Sequence, residues 1–152
     1  MHLCSAESCT GGLLGHIITN YPGASQFYLG GQITYSNQTK HEWLHVPEQT
    51  LIDYGAVSEQ TVIAMAEGIR NACRQSCPIE KLVGIAISGI AGPSGGTPDK
   101  PVGTVWIGIS MAHFQHATRF SFSGNREEIK QQSALQALRI IRDALSVKKR
   151  PD

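Results

Sequence analysis

The run Ala6-Glu7-Ser8-Cys9-Thr10-Gly11-Gly12 places two hydroxyls and a thiol directly ahead of paired glycines. Leu13, Leu14, Ile17 and Ile18 follow at helical spacing, so Ser8 to Gly12 reads as a strand-to-helix turn. Backbone N–H groups and the positive end of a helix dipole converge at such a turn. They stabilise an anion, either a bound phosphate or the oxyanion of a tetrahedral intermediate. On that reading Ser8 attacks a carbonyl while N–H groups from Cys9, Thr10, Gly11 and Gly12 hold the oxygen. Two other readings stand beside it. Ser8 can be a plain helix cap, and Cys9 can be the nucleophile, because helix N-termini promote thiolates.

A serine hydroxyl needs a base. No Ser–His–Asp pattern is visible, and the six histidines sit outside recognisable catalytic contexts. His41 and His45 have i, i+4 spacing but lack a third ligand, so they read as surface residues and no metal or other cofactor is expected. Lys40 is the better candidate, because Ser–Lys pairs are a known variant of the serine triad. Its pKa must then fall from ~10.4 towards ~7–8, which burial can achieve. Taken alone, Lys40 also reads as a solvated helix lysine. The loop Gly89 to Lys100 follows an apolar strand, where open α/β sheets place their ligands. Gly89 and Gly92 allow backbone N–H groups close to a phosphate, and Lys100 adds charge. The loop matches neither dinucleotide nor P-loop spacing, and its other reading is a structural turn. Arg126, after Gly124-Asn125, suits a phosphate or carboxylate fork, or is a surface arginine.

These residues need a scaffold that the rest of the chain must supply. Met1 to Ala6 and Phe27 to Ser36 read as strands, the second carrying Gly30-Gly31 as a bulge or close backbone approach. Leu82 to Ile87 is nearly continuous in apolar residues, the mark of a strand buried on both faces. Val102 to Met111 and Ala117 to Phe122 read as a hairpin around Ala112-His113. Helices are expected from Leu13 to about Asn20, after a cap at Asn37, from Pro47 to Gly55, after a cap at Ser58, and from Arg126 to Val147. This order predicts an α/β fold, a three-layer α/β/α sandwich with a mixed sheet, as a single domain over residues 1–147. A basic tail, residues 148–152, follows.

The chain has 152 residues, 41% of them hydrophobic and 16% charged, which suffices for a self-sustaining core. A net charge of +1 argues against nucleic acid as the main partner. No apolar run approaches the ~20 residues that span a bilayer, so no membrane association is expected. Cys4, Cys9, Cys73 and Cys77 fit no zinc pattern and read as the reduced thiols of a cytoplasmic protein, with Cys73 and Cys77 on one helix.

Several segments together resemble the CinA C-terminal domain family, in order and over nearly the whole chain. They are Ala6 to Gly12, Gly30-Gly31 with Tyr35-Ser36-Asn37 and Lys40, Gly55-Ala56-Val57-Ser58, Gly89-Ile90-Ala91-Gly92-Pro93, Gly95-Gly96-Thr97 and Lys100 to Val105. The resemblance implies a nicotinamide-nucleotide amidase, a hydrolase that converts nicotinamide mononucleotide and water to nicotinate mononucleotide and ammonia. It further implies a three-layer fold, a homodimer and no metal. It makes Ser8 the nucleophile, has Lys40 and Tyr35 activate it, and gives Arg126 an assisting role. Which of Lys40 and Tyr35 takes the proton stays open. Five residues precede Ala6 where family members often carry a helix, and Ser88 stands where threonine is expected. The pyrophosphatase-like activity of larger relatives is not expected here. The rival reading is a non-catalytic nucleotide-binding module. A DNA-uptake role, suggested by the family's association with competence, finds little support in the net charge.

Overall fold

The computed structural model describes residues 1–147, and the expected basic tail lies outside the described residues. The elements are β1 (His2–Glu7), α1 (Leu13–Thr19), β2 (Tyr28–Ile33), α2 (Asn37–Leu44), α3 (Glu48–Tyr54), α4 (Glu59–Ala72), β3 (Leu82–Gly89), β4 (Thr104–Met111), β5 (Phe114–Ser121) and α5 (Arg126–Val147). They form a mixed five-stranded sheet in the order β2-β1-β3-β4-β5. β1 runs parallel to β2 and β3, while β3–β4 and β4–β5 are antiparallel. The three-layer α/β/α sandwich expected from the sequence is what forms.

The alternation of large and small side chains on the central strands decides how closely each helical layer sits. Val83, Ile85 and Ile87 of β3 and Val105, Ile107 and Ile109 of β4 pack with Leu14 and Ile18 of α1 and with Ile129, Ala137 and Ile141 of α5. The other face is made of small residues. Cys4, Ala6 and Ala86 lie there against Val62, Met65, Ala66 and Ile69 of α4. A Cβ on Gly84 would run into the Ala66 carbonyl, and one on Gly108 would stand 2.7 Å from the Val62 carbonyl oxygen. The same closeness recurs one layer out, where a Cβ on Gly68 of α4 would collide with the Leu44 carbonyl at the end of α2. Glycines therefore set α4 on the sheet and α2 on α4, and α2 carries Lys40.

β2 carries a bulge at Leu29, immediately before its paired glycines, and a close approach to β1 at Gly31. The β1–β2 register shifts between Leu3 and Cys4, and Gly30 has φ +139°. A side chain on Gly31 would overlap the Ser5 hydroxyl and meet the Tyr28 hydroxyl at 2.7 Å. Some boundaries differ from expectation. Ser36, not Asn37, caps α2, its Oγ accepting from the Thr39 N–H at 3.1 Å. Cys73 closes α4, which leaves Cys77 beyond the helix rather than on it, its Sγ 3.2 Å from His2 Nδ1. β2 stops at Ile33, so Thr34 to Ser36 leave the sheet.

Gly84→Ala should lower stability by about 2–3 kcal/mol, because overpacking a rigid backbone contact forces helix and sheet apart. Urea unfolding checks this. A loss under about 1 kcal/mol would mean that the α4 layer is not fixed by that contact.

Candidate active site

Ser8 is the first residue after β1, and its N–H donates to the Ile87 carbonyl of β3 at 2.9 Å. One strand over, the Thr34 N–H donates to the Glu7 carbonyl at 2.9 Å, the last tie before the β2 chain leaves the sheet. Thr34 and Tyr35 then turn both of their carbonyls towards the side chain of Lys40. Lys40 Nζ lies 2.9 Å from the Thr34 oxygen, 3.2 Å from the Tyr35 oxygen and 3.0 Å from Ser8 Oγ. The lysine is 1% exposed. Among the described residues no carboxylate pairs with it. Burial without a counter-charge disfavours the ammonium and draws the Lys40 pKa from 10.5 down to about 8.

This arrangement can move a proton. The neutral amine has two N–H donors and one lone pair. The two carbonyls take the donors, and the lone pair is left for the Ser8 hydroxyl. Cys9, the neighbouring candidate nucleophile, stands in the opposite condition. Burial pushes its thiol up to about 12, well above the usual range, despite the opposing pull of Lys40. It is a protonated thiol at neutral pH.

Tyr35 and Arg126 form the rim. Arg126 Nη2 donates to the Tyr35 hydroxyl at 2.8 Å, and Nη1 donates to the Gly92 carbonyl at 2.6 Å. The tyrosine hydroxyl thus bonds to Arg126, while it is the tyrosine carbonyl that meets Lys40. At the far wall, Ser88 Oγ donates to the Ala56 carbonyl at 2.7 Å and ties the Gly55 to Val57 segment to the end of β3. A cleft of about 260 Å³ results, lined by Ser8, Cys9, Tyr35, Lys40, Gly89, Gly92 and Arg126 together with Ala56, Val57, Ser88, Ile90 and Ser94. A larger, apolar groove of about 380 Å³ lies at the opposite end of the sheet, beside Leu3, Ile18 and Val83.

Of the residues expected to bind ligand, Gly11 and Gly12 have their N–H groups engaged, Lys100 lies elsewhere, and the Thr10 side chain is buried. The Gly11 N–H donates to the Ser8 carbonyl at 3.0 Å, and the Gly12 N–H donates to Glu7 Oε2 at 3.0 Å. Neither glycine is free to hold an oxyanion through its amide. The reason is Glu7, whose buried carboxylate also accepts from the N–H groups of Leu14 and Gly15 and so fills the helix N-terminus. Thr10 is buried beneath the turn, its hydroxyl without a partner. Lys100 points away from the cleft and donates to the Tyr54 carbonyl at 2.8 Å. Among the described residues, the N–H groups of Cys9, Thr10, Ala91, Gly92, Ser94 and Gly95 donate to no backbone carbonyl. Ser8 itself does not cap α1, since Gly12 holds the N-cap position.

Ala56, Val57 and Ile90 fall within segments that carry the family resemblance, but their apolar side chains show no chemistry of their own to single them out as site residues. Glu7 could have been found by the rule that a carboxylate near a helix start answers its unpaired N–H groups. Among the described residues, no group of three or more His, Cys, Asp or Glu side chains could hold a metal ion. His41 Nδ1 instead meets the Val46 carbonyl at 2.8 Å. No helix among the described residues is long and apolar enough to cross a membrane.

Similar sequences and a similar fold occur in known proteins. The chain is 48% identical over 140 residues to a CinA-like protein of Syntrophotalea carbinolica, an alignment covering 92% of this chain and 32% of that one. It is 49% identical over 144 residues to a CinA-like protein of Thermotoga neapolitana, covering 94% of this chain and 33% of that one. It thus spans about a third of the length of these curated relatives. Among solved structures, a competence-damaged protein (CinA) superfamily member from Klebsiella pneumoniae superposes with a TM-score of 0.87 at 34% identity, covering 95% of this chain and 87% of that one. The competence/damage inducible protein CihA from Agrobacterium tumefaciens gives 0.84 at 33% identity, with coverages of 93% and 83%. The family model described as the CinA C-terminal domain matches residues 1–145, and the chain belongs to that family.

Proposed function

We propose that this chain is an amidase that hydrolyses the carboxamide of nicotinamide mononucleotide, giving nicotinate mononucleotide and ammonia. The observation that carries the reading is the 3.0 Å contact between Ser8 Oγ and the buried, carboxylate-free Lys40 amine. Burial of the amine beside the hydroxyl, without a carboxylate, favours its neutral form, which is what a Ser–Lys hydrolase needs of its base.

In this mechanism the neutral Lys40 amine takes the proton of Ser8 as Oγ attacks the carboxamide carbon. N–H groups of the Ser8 turn and of the Gly89 loop receive the developing oxyanion, an interaction typically worth about 2.7–4 kcal/mol per donor. The Lys40 ammonium then returns its proton to the departing nitrogen, the C–N bond breaks and ammonia leaves. Water adds to the resulting ester with Lys40 again as base, the acid is released and Ser8 regains its proton. Ala56, Val57 and Ile90 provide an apolar face for the pyridine ring. Arg126 supplies a fork for the phosphate, steadied by Tyr35. The cleft's 260 Å³ is below the ~300–1,000 Å³ of sites that enclose drug-sized ligands, so the sugar-phosphate end of the nucleotide extends towards solvent.

Ser8→Ala should abolish ammonia release from nicotinamide mononucleotide in a protein that stays folded, and Cys9→Ala should retain activity within a few-fold. The assay is ammonia release with no metal added. Nucleotide binding by wild type without any release would replace the amidase by a binding module.

The pH dependence follows from Lys40. Its base form is the neutral amine, so kcat/KM should rise about tenfold per pH unit below the midpoint and level off above about 8. A flat profile between about pH 6 and 9 would exclude Lys40 as the base, and Lys40→Met should be nearly inactive at every pH.

Stability carries a second signature. The folded pKa of about 8 lies below the unfolded value near 10.5, so the unfolded chain binds more protons between those two pH values. Wild-type stability must therefore gain with rising pH across that window relative to Lys40→Met, by up to roughly 3 kcal/mol. Urea unfolding of both proteins at about pH 7 and pH 10 measures the change. A difference that does not move with pH would contradict the buried, uncompensated ammonium.

A further inference from the structure

Glu7 is a buried carboxylate adjacent to the nucleophile, yet the mechanism above does not use it. It is 2% exposed. Its Oε2 accepts from the N–H groups of Gly12 and Leu14, each at 3.0 Å, and Oε1 accepts from Gly15 at 2.9 Å. Those are donors that the first turn of a helix leaves unpaired. The N-cap residue Gly12 has φ +98° and no side chain with which to satisfy them. The carboxylate of the last β1 residue thus reaches over its own neighbour and grips the start of α1.

This grip has two consequences. The chain between Glu7 and Gly12 is closed into a short loop, pinned at one end to β3 through the Ser8 N–H and at the other to the Glu7 carboxylate. Within it, the Gly11 N–H bonds back to the Ser8 carbonyl, and the N–H groups of Cys9 and Thr10 donate to no backbone carbonyl among the described residues. Secondly, the positive end of α1 is already matched by an internal anion. A substrate phosphate finds no vacancy there, and the Ser8 turn is left to serve the reacting carbonyl.

We infer that Glu7 is a positioning residue, which sets the direction of Ser8 Oγ and of the turn's N–H groups by stapling the N-terminus of α1. The inference rests on the amidase reading of Ser8. A Cβ on Gly15 would lie 2.9 Å from the Tyr28 hydroxyl and in ordinary contact, 3.6 Å, with Glu7 Oε1, so glycine there keeps the Tyr28 hydroxyl close to the staple.

The test compares wild type, Glu7→Gln and Glu7→Asp in the full chain. Four readouts are taken: ammonia release from nicotinamide mononucleotide, labelling of Ser8 by a small fluorophosphonate followed by mass spectrometry, amide hydrogen exchange, and thermal midpoint. Glu7→Gln keeps the shape but turns an amide N–H₂ towards backbone donors. It should lower kcat and the labelling rate at least tenfold, with KM within twofold and the midpoint of the pH profile unchanged. Exchange at Gly12, Leu14 and Gly15 should quicken while β3 stays protected. Glu7→Asp, one methylene short, should fall between. If Glu7→Gln does not fold, Glu7→Asp carries the same comparison.

A folded variant with kcat and labelling within twofold of wild type overturns the inference, even if its thermal midpoint falls, because that is a purely structural role. A loss confined to KM, or a shifted pH midpoint, overturns it too, since Glu7 would then act on substrate binding or on the charge of Lys40. A wild type that neither labels nor turns over removes the amidase reading first and this inference with it, whereas an active wild type with an equally active variant removes this inference alone.

Discussion

The structure is organised around an amine buried where a charge is poorly tolerated. Lys40 has the Ser8 hydroxyl and two backbone carbonyls around Nζ and no carboxylate. Had a carboxylate been present, the ion pair would have held the ammonium and raised its pKa. Leaving the anion out makes the neutral amine accessible near physiological pH. Holding the ammonium in such a place costs about 1.4 kcal/mol for each tenfold weakening of its grip on the proton, and the packing around it has to offset that. The chain does hold a buried carboxylate one residue from Ser8, but Glu7 is committed to the start of α1. Separating these two buried groups is the electrostatic condition on which the rest of the site depends.

That condition is imposed by backbone proximity rather than by long side chains. Gly84 and Gly108 bring α4 onto the sheet, and Gly68 brings α2 onto α4. Lys40, near the middle of α2, then has only to reach inward to the end of β1. On the sheet's other edge, Gly31 allows β2 to close on Ser5 and Tyr28, which aligns the Thr34 and Tyr35 carbonyls with the amine. Glycine accounts for 16 of the 152 residues, and those on the α4 face set the spacing of the helix that carries Lys40. The bulky Val and Ile residues on the opposite face pack against α1 and α5, the helices that carry the Glu7 contact and Arg126, so both faces of the sheet contribute to the site.

Much of this is legible in the sequence. The continuous apolar run of β3, the glycine-bounded turn after β1 and the stripe of α5 each follow from a local period, and the layered fold follows from their order. Ser8, Lys40, Tyr35 and Arg126 can be singled out individually. Their convergence cannot be read locally, because Ser8 and Lys40 are 32 positions apart and Tyr35 and Arg126 are 91 apart. The expectations that fail share one cause. Gly11 and Gly12 offer N–H groups at a helix start as far as pattern goes, but the tertiary contact from Glu7 and the turn itself take those donors first. Lys100 follows a glycine-rich loop and so reads as a cleft residue. The loop is long enough to carry it to the Tyr54 carbonyl at the end of α3. Local pattern predicts which groups a segment has, and tertiary structure decides which remain available.

The choice between adjacent nucleophiles shows the same principle at the scale of one peptide bond. Cys9 is intrinsically the better nucleophile, but only as a thiolate. Its side chain packs into the apolar layer with Leu14 and Ile87, where burial outweighs the attraction of Lys40 and holds the proton on sulfur. Ser8 projects to the other side of the turn, in hydrogen-bond contact with the amine. A serine never needs to exist as a free alkoxide, because its proton can leave as the new bond forms. Its reactivity depends on the distance to a base rather than on its own ionisation. Burial, which silences the thiol, lowers the lysine into the range where it can serve the hydroxyl. One low-dielectric environment therefore holds the proton on the Cys9 thiol and brings the Lys40 amine, in contact with Ser8, towards the range in which it can accept one.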